Sequence, residues 1–118
     1  MSYNPTEHLI DYQGKPYLPV VSRVVWFREQ HGHHYSIETT VAPVGTSTVL
    51  ASANIKDKEG RILSTAHKTK GITEKDSFAK AETGAIGRAL GFLGFGTELA
   101  TQDFEEGDEI VDKAVAKT

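Results

Sequence analysis

TVLASANIKDKEGRILSTAHKTK, residues 48–70, decides the fold, because it alternates on both sides of a four-residue break. In the first half Val49, Ala51, Ala53 and Ile55 fall on one face, the period-two pattern of a half-buried strand. In the second half Leu63, Thr65, His67 and Thr69 oppose Ile62, Ser64, Ala66 and Lys68. Between them Asp57-Lys58-Glu59-Gly60 reads as a hairpin turn, with Gly60 at a positive-φ position. Upstream, Tyr35, Ile37, Thr39 and Val41 alternate with Ser36, Glu38 and Thr40, until Pro43 and Gly45 break the run. Three strands near 35–41, 48–56 and 61–70, joined by short connections, predict an antiparallel meander.

Downstream of the meander, Gly71 to Asp76 is a connection. Asp76 or Ser77 is placed to cap a helix, since a short side-chain oxygen satisfies the orphan N–H groups of a first turn. That helix is predicted from about Phe78 to Leu93, with Phe78, Ala81, Ala85, Ala89 and Phe92 as its apolar stripe, flanked by Ile86, Leu90 and Leu93. Gly94 or Gly96 supplies the stop. Upstream of the meander, Val20, Val21, Val24, Val25 and Phe27 recur at near-helical spacing, with Trp26 beside them and Arg23, Glu29 and Gln30 elsewhere on the wheel. Pro19 suits the first turn of such a helix. Residues 1–16, with Pro5, Gly14 and Pro16 as breakers, read as an extended arm, 17–101 as one domain, and 102–118 as an acidic, disordered tail. The fold class is therefore α+β: a three-stranded antiparallel meander packed against a long α-helix, a β-β-β-α core with a preceding N-terminal helix.

The chain has 118 residues and no cysteine, which suits one domain with its own core and rules out a disulfide framework or a thiolate zinc site. No apolar run approaches the roughly 18 residues of a membrane span. The opening residues lack the basic and then apolar regions of a secretory signal, so the expectation is a cytoplasmic protein with no membrane partner. Net charge is −3, yet the charge is uneven. Residues 102–118 carry six acids (Asp103, Glu105, Glu106, Asp108, Glu109 and Asp112) against two lysines, so residues 1–101 hold a net +1. Between Arg61 and Arg88 the basic residues Arg61, Lys68, Lys70, Lys75, Lys80 and Arg88 outnumber Glu74, Asp76 and Glu82.

The long helix holds Gly84, Gly87 and Gly91, each costing roughly 1 kcal/mol relative to Ala. Such positions permit close approach of another backbone: a sheet, a neighbouring subunit or a nucleic-acid strand. Arg88 and Lys80 lie on overlapping faces of this helix and, with Lys68 and Lys70 at the end of the third strand, could line one groove. A basic track of this kind is what a phosphate chain needs, since each neutralised phosphate releases a counterion; the alternative is a solvated charged surface. His31, His33 and His34 lie in a polar turn, without the scaffold a metal site requires. No phosphate-loop motif, Cys–His pair or recognisable triad is present, so neither an enzyme nor a cofactor is expected. Trp26, Phe27, Tyr35, Phe78, Phe92 and Phe95 could stack on bases, but most fall on apolar faces and read better as core, whereas Tyr12 and Tyr17 are the better candidates for base stacking or subunit contact.

The order of elements, and the segment KAETGAIGRALGFLGFG at residues 80–96, resemble the Rad fifty-two superfamily of single-strand annealing proteins. Arg88-Ala89-Leu90 followed by Gly94 is similar to the R-A-L and nearby Gly of that family's helix, and the stretch from Tyr17-Leu18-Pro19-Val20 to Trp26-Phe27-Arg28 resembles small phage and prophage members. The resemblance covers about residues 17–100. It implies a homo-oligomeric ring or filament that holds single-stranded DNA by its phosphates and displays the bases for pairing, without ATP or any other cofactor, in recombination or repair. Arg88 matches the family's basic helix position on the DNA backbone. Lys80, Lys68, Lys70 and Arg61 join it as DNA-binding candidates on the charge argument. Family helices often carry further basic residues where this chain has Gly87 and Gly91, which predicts weaker or more salt-sensitive binding. The acidic tail is a candidate contact for a replication or repair protein. The alternative function is a structural or regulatory oligomer that uses the same fold for protein contacts without DNA.

Overall fold

A computed structural model describes residues 3–95. The expected extended arm is more ordered than its breakers suggest. Pro5–His8 forms one 3-10 turn, capped by the Asn4 side chain, which accepts from the Thr6 N–H. Strands β1 (Ile10–Tyr12) and β2 (Lys15–Tyr17) then pair antiparallel, with Ile10 opposite Tyr17. Their turn places Gln13 and Gly14 at φ 53° and 81°, two successive left-handed residues as a tight hairpin of native twist requires.

Helix α1 spans Val20–His31 and buries Val20, Arg23 and Phe27. Val24 and Trp26 also pack against the core, whereas Val21 and Val25 face outward. Arg23 is therefore not on the solvent side, where the wheel put it. The strands follow as β3 (Ser36–Val44), β4 (Thr48–Lys56) and β5 (Ile62–Gly71), in one antiparallel sheet ordered β3-β4-β5. Helix α2, Ser77–Phe92, packs across β4 and β5 and more lightly on β3. The architecture is thus α+β, a three-stranded antiparallel sheet against a helix.

The alternation read from the sequence is the alternation of burial along β4, where Val49, Ala51, Ala53 and Ile55 are all sealed. On β5 the inward set is Ser64, Ala66 and Lys68. Ala51, Ala53 and Ala66 of the sheet share the core with Ala81, Ala85 and Ala89 of α2, small side chains that let the helix sit close to the sheet. The expected helix stripe holds at these alanines and fails at its ends, where Phe78 and Phe92 are exposed. The opposite sheet face is polar and paired across strands: Ser52 with His67 at 2.8 Å, Thr65 with Asn54 at 2.7 Å, and Lys56 with Glu38 at 2.9 Å.

Neither candidate side-chain cap of α2 does that work. Asp76 occupies the N-cap position at φ 57° without a side-chain cap bond, and Ser77 is buried with its hydroxyl turned to the Ile72 carbonyl. The C-terminus closes as a Schellman motif: Gly94, at φ 96°, donates to the Gly91 carbonyl, and the Phe95 N–H donates to the Leu90 carbonyl. That reversal returns Phe95 to the core, edge-on to Trp26 and Phe27 with ring centres 4.9 and 5.5 Å away. His31 is the last residue of α1 and stacks on Tyr35 beside them, so it does not lie in the polar turn expected of the histidine cluster.

Two of the three helix glycines have a packing reason. A Cβ on Gly84 would lie 2.8 Å from Lys68 Cγ, and one on Gly87 would lie 2.8 Å from Val20 Cγ2. Gly91 has open space around it. Gly84→Ala is therefore expected to lose about 1 kcal/mol, because overpacking a buried stem outweighs the gain in helix propensity. Gly91→Ala is expected to gain about 0.5 kcal/mol. Urea midpoints of the two variants, moving in opposite directions from wild type, would check both.

Candidate nucleic-acid interface

Strand β5 is an outer strand of the sheet, and α2 runs antiparallel along it: the Ser64 hydroxyl donates to the Ala89 carbonyl at 2.8 Å, while Lys68 lies against Gly84. Three of the five candidate cations, Lys68, Lys70 and Arg88, border the furrow where they meet. Lys80, Gly84 and Arg88 are spaced four apart on α2 and so share a face. Gly84, at the centre, leaves the gap through which the Lys68 stem passes; Lys68 is only 8% exposed. The methylene stem is thus part of the packing between β5 and α2.

Arg88 is exposed and donates from Nη1 to the His67 carbonyl of β5 at 3.0 Å, so its guanidinium is held over the outer strand. At the other end of the furrow, Lys70 Nζ lies 3.1 Å from Glu74 Oε1. The Lys70 side chain is 8% exposed and that of Glu74 is 45% exposed. The hydrogen bond from Lys70 comes first among the causes that hold the Glu74 carboxyl below the usual carboxylate range; the Gly71 N–H and the charges of Lys70 and Lys80 add to it against the opposing effect of burial.

Arg61 does not join them. It sits at the β4–β5 turn, with its side chain 76% exposed and its Nε 2.9 Å from Asp57 Oδ2. Asp57 also accepts the Glu59 and Arg61 backbone N–H groups. The Arg61 N–H first, with its guanidinium and the Glu59 N–H after, holds the Asp57 carboxyl low. This is a turn-locking arrangement rather than part of a groove. The expected stacking role of Tyr17 is overturned as well: Tyr17 is buried at 1% exposure under the Arg23 guanidinium, 5.3 Å from the ring centre. Tyr12 is half-buried beside it.

Sequence reasoning missed two residues of the site. Glu74 stands four residues after Lys70, a spacing that could have flagged the pair, but the intervening turn hid it. The His67 carbonyl is backbone and left no signal. The acidic tail of residues 102–118 lies outside the described residues. No helix among the described residues is long and apolar enough to cross a membrane, and among them no three His, Asp or Glu side chains gather where they could hold a metal ion. The chain matches no family model, no curated protein and no solved structure.

Proposed function

We propose that this protein binds single-stranded DNA as a homo-oligomer and promotes ATP-independent annealing of complementary strands in recombination or repair, with no catalytic step of its own. The observation that carries the reading is that Lys68, Lys70 and Arg88 border one furrow between α2 and an outer strand, with Lys80 on the helix face that Arg88 shares. Phosphates entering the furrow meet cations from two rigid elements, so the backbone is held at fixed spacing while the bases point away. The resemblance of the helix segment to the annealing family supports the same reading.

The test is fluorescence anisotropy of a labelled single-stranded oligonucleotide and its duplex, at several salt concentrations. The expected result is single-strand binding that weakens about tenfold with Arg88→Ala and again with Lys80→Ala, each lowering the salt slope by about 0.7. Arg61→Ala, at the far turn, is expected to leave both nearly unchanged. An Arg88→Ala, Lys80→Ala double variant that binds like wild type would refute the groove.

One observation favours a second reading, in which the same fold serves a structural or regulatory oligomer through protein contacts alone. Arg88 and Lys70 are already bonded to the protein's own His67 carbonyl and Glu74. On that reading the full chain is silent toward nucleic acid, and Arg88→Ala leaves its function unchanged.

A further inference from the structure

The Lys70 end of the furrow holds an anion of the protein's own. Glu74 uses both carboxylate oxygens there: Oε1 faces the Lys70 ammonium at 3.1 Å, and Oε2 is 3.4 Å from the Gly71 backbone nitrogen. A backbone N–H and an ammonium converging on two oxygens of one singly charged group is also what a phosphodiester, with two non-bridging oxygens and one charge, would use. The loop brings the group into place. Glu74 donates its backbone N–H to the Gly71 carbonyl at 3.1 Å, closing a turn that folds the side chain back over the end of β5. A Cβ on Gly71 would stand 3.5 Å from Oε2, an ordinary contact distance, so the carboxylate lies directly against this stretch of backbone.

We propose that Lys70 and the Gly71 N–H form a phosphate seat at the end of the furrow, and that the Glu74 carboxylate occupies it as an internal competitor of the bound strand. Glu74 is the more exposed partner of the pair and stands on a short connection, whereas Lys70 is on a strand. The carboxylate is therefore the part that moves. The Glu74 side is open to water and therefore partly screened by salt, so a strand already anchored at Arg88 can displace the carboxylate, while a single free phosphate competes poorly. The seat would discriminate against isolated phosphate-bearing molecules and admit a polymer. The inference rests on the single-strand reading of the groove.

The experiment compares the full chain with Glu74→Gln, which keeps the shape of the side chain and removes its charge, and with Glu74→Ala. Each is titrated against a labelled oligothymidylate by anisotropy. Inorganic pyrophosphate is titrated separately while the Gly71 amide resonance is followed. Both variants should bind the oligonucleotide about three- to tenfold tighter than wild type, with a salt slope steeper by about 0.7, the mark of one more phosphate contact. Pyrophosphate should shift the Gly71 resonance more in the variants than in wild type. A wild type that binds while Glu74→Gln and Glu74→Ala bind no tighter would overturn the seat and leave the DNA reading intact. Should no form bind the oligonucleotide, the DNA reading falls by itself. A Gly71 shift by pyrophosphate confined to the variants would then still support the seat, and its absence would remove it.

Discussion

Phe27→Ala is expected to destabilise the fold by about 4 kcal/mol, the upper part of the range for truncating a sealed aromatic. Phe27 has no exposed surface and stands at the join of three parts of the chain: its own helix α1, the His31–Tyr35 stack leading into β3, and Phe95 after α2. Removing the ring leaves a void edged by other rings, which cannot collapse without undoing the Phe95 reversal. Domains of this size are stable by about 5–15 kcal/mol, so the variant should be partly unfolded at 37 °C. Thermal unfolding by circular dichroism would check this, together with Phe27→Leu, which should restore about half the loss. A melting temperature for Phe27→Ala within a few degrees of wild type would mean that the aromatic cluster does not hold the two helices together.

Arg23→Ala is expected to cost about 3 kcal/mol, through a different cause. The buried guanidinium donates from Nε to the Leu18 carbonyl at 2.9 Å and from Nη1 to the Gly87 carbonyl at 3.1 Å, with Tyr17 beneath it. Hydrogen bonds from a charged group are worth about 1.5–3 kcal/mol each, and an acceptor left buried without a partner costs more than the bond contributed. The geometry is a fork, so Arg23→Lys should recover little: a single ammonium reaches one carbonyl or the other. Chemical denaturation of wild type, Arg23→Lys and Arg23→Ala would check the order. If Arg23→Lys matched wild type, the two-carbonyl bridge would carry no stability.

These two side chains mark where sequence reasoning succeeded and where it failed. Phe27 lay on a helical apolar face and was legible as core. Arg23 sat on the same helix as a charge, and composition places charges outside; only the carbonyls of Leu18 and Gly87, distant in the chain, draw it in. The strands were legible because one face of each carries small apolar residues at period two, and a slip of one residue would have turned Val49, Ala51, Ala53 and Ile55 to water. Which side of β5 faces the helix was not legible. Ser64, Ala66 and Lys68 turn inward although Leu63 is the larger apolar group, because Gly84 admits the Lys68 stem and the Ala89 carbonyl accepts from Ser64. The candidate groove was legible in outline: Arg88 and Lys80 share a helix face, and Lys68 and Lys70 end the strand beside it. Arg61 failed to join them because proximity in sequence is not proximity across a hairpin, and Asp57 holds it at the turn. Tyr17 failed because a polar neighbourhood in sequence hid a place beneath Arg23.

The bridge from Arg23 to Gly87 spans 64 residues of chain, and this sets a clock on biosynthesis. At about 5–20 residues per second, the acceptor is made about 3–13 seconds after the donor. Throughout that interval the nascent α1 has neither its helix partner nor Phe95, so Phe27 stays uncovered and the guanidinium has no carbonyl on α2 to meet. The meander is synthesised while its roof does not yet exist. The native core therefore closes only once the helix that bears the candidate binding groove has been made, which ties the assembly of that groove to the last step of folding.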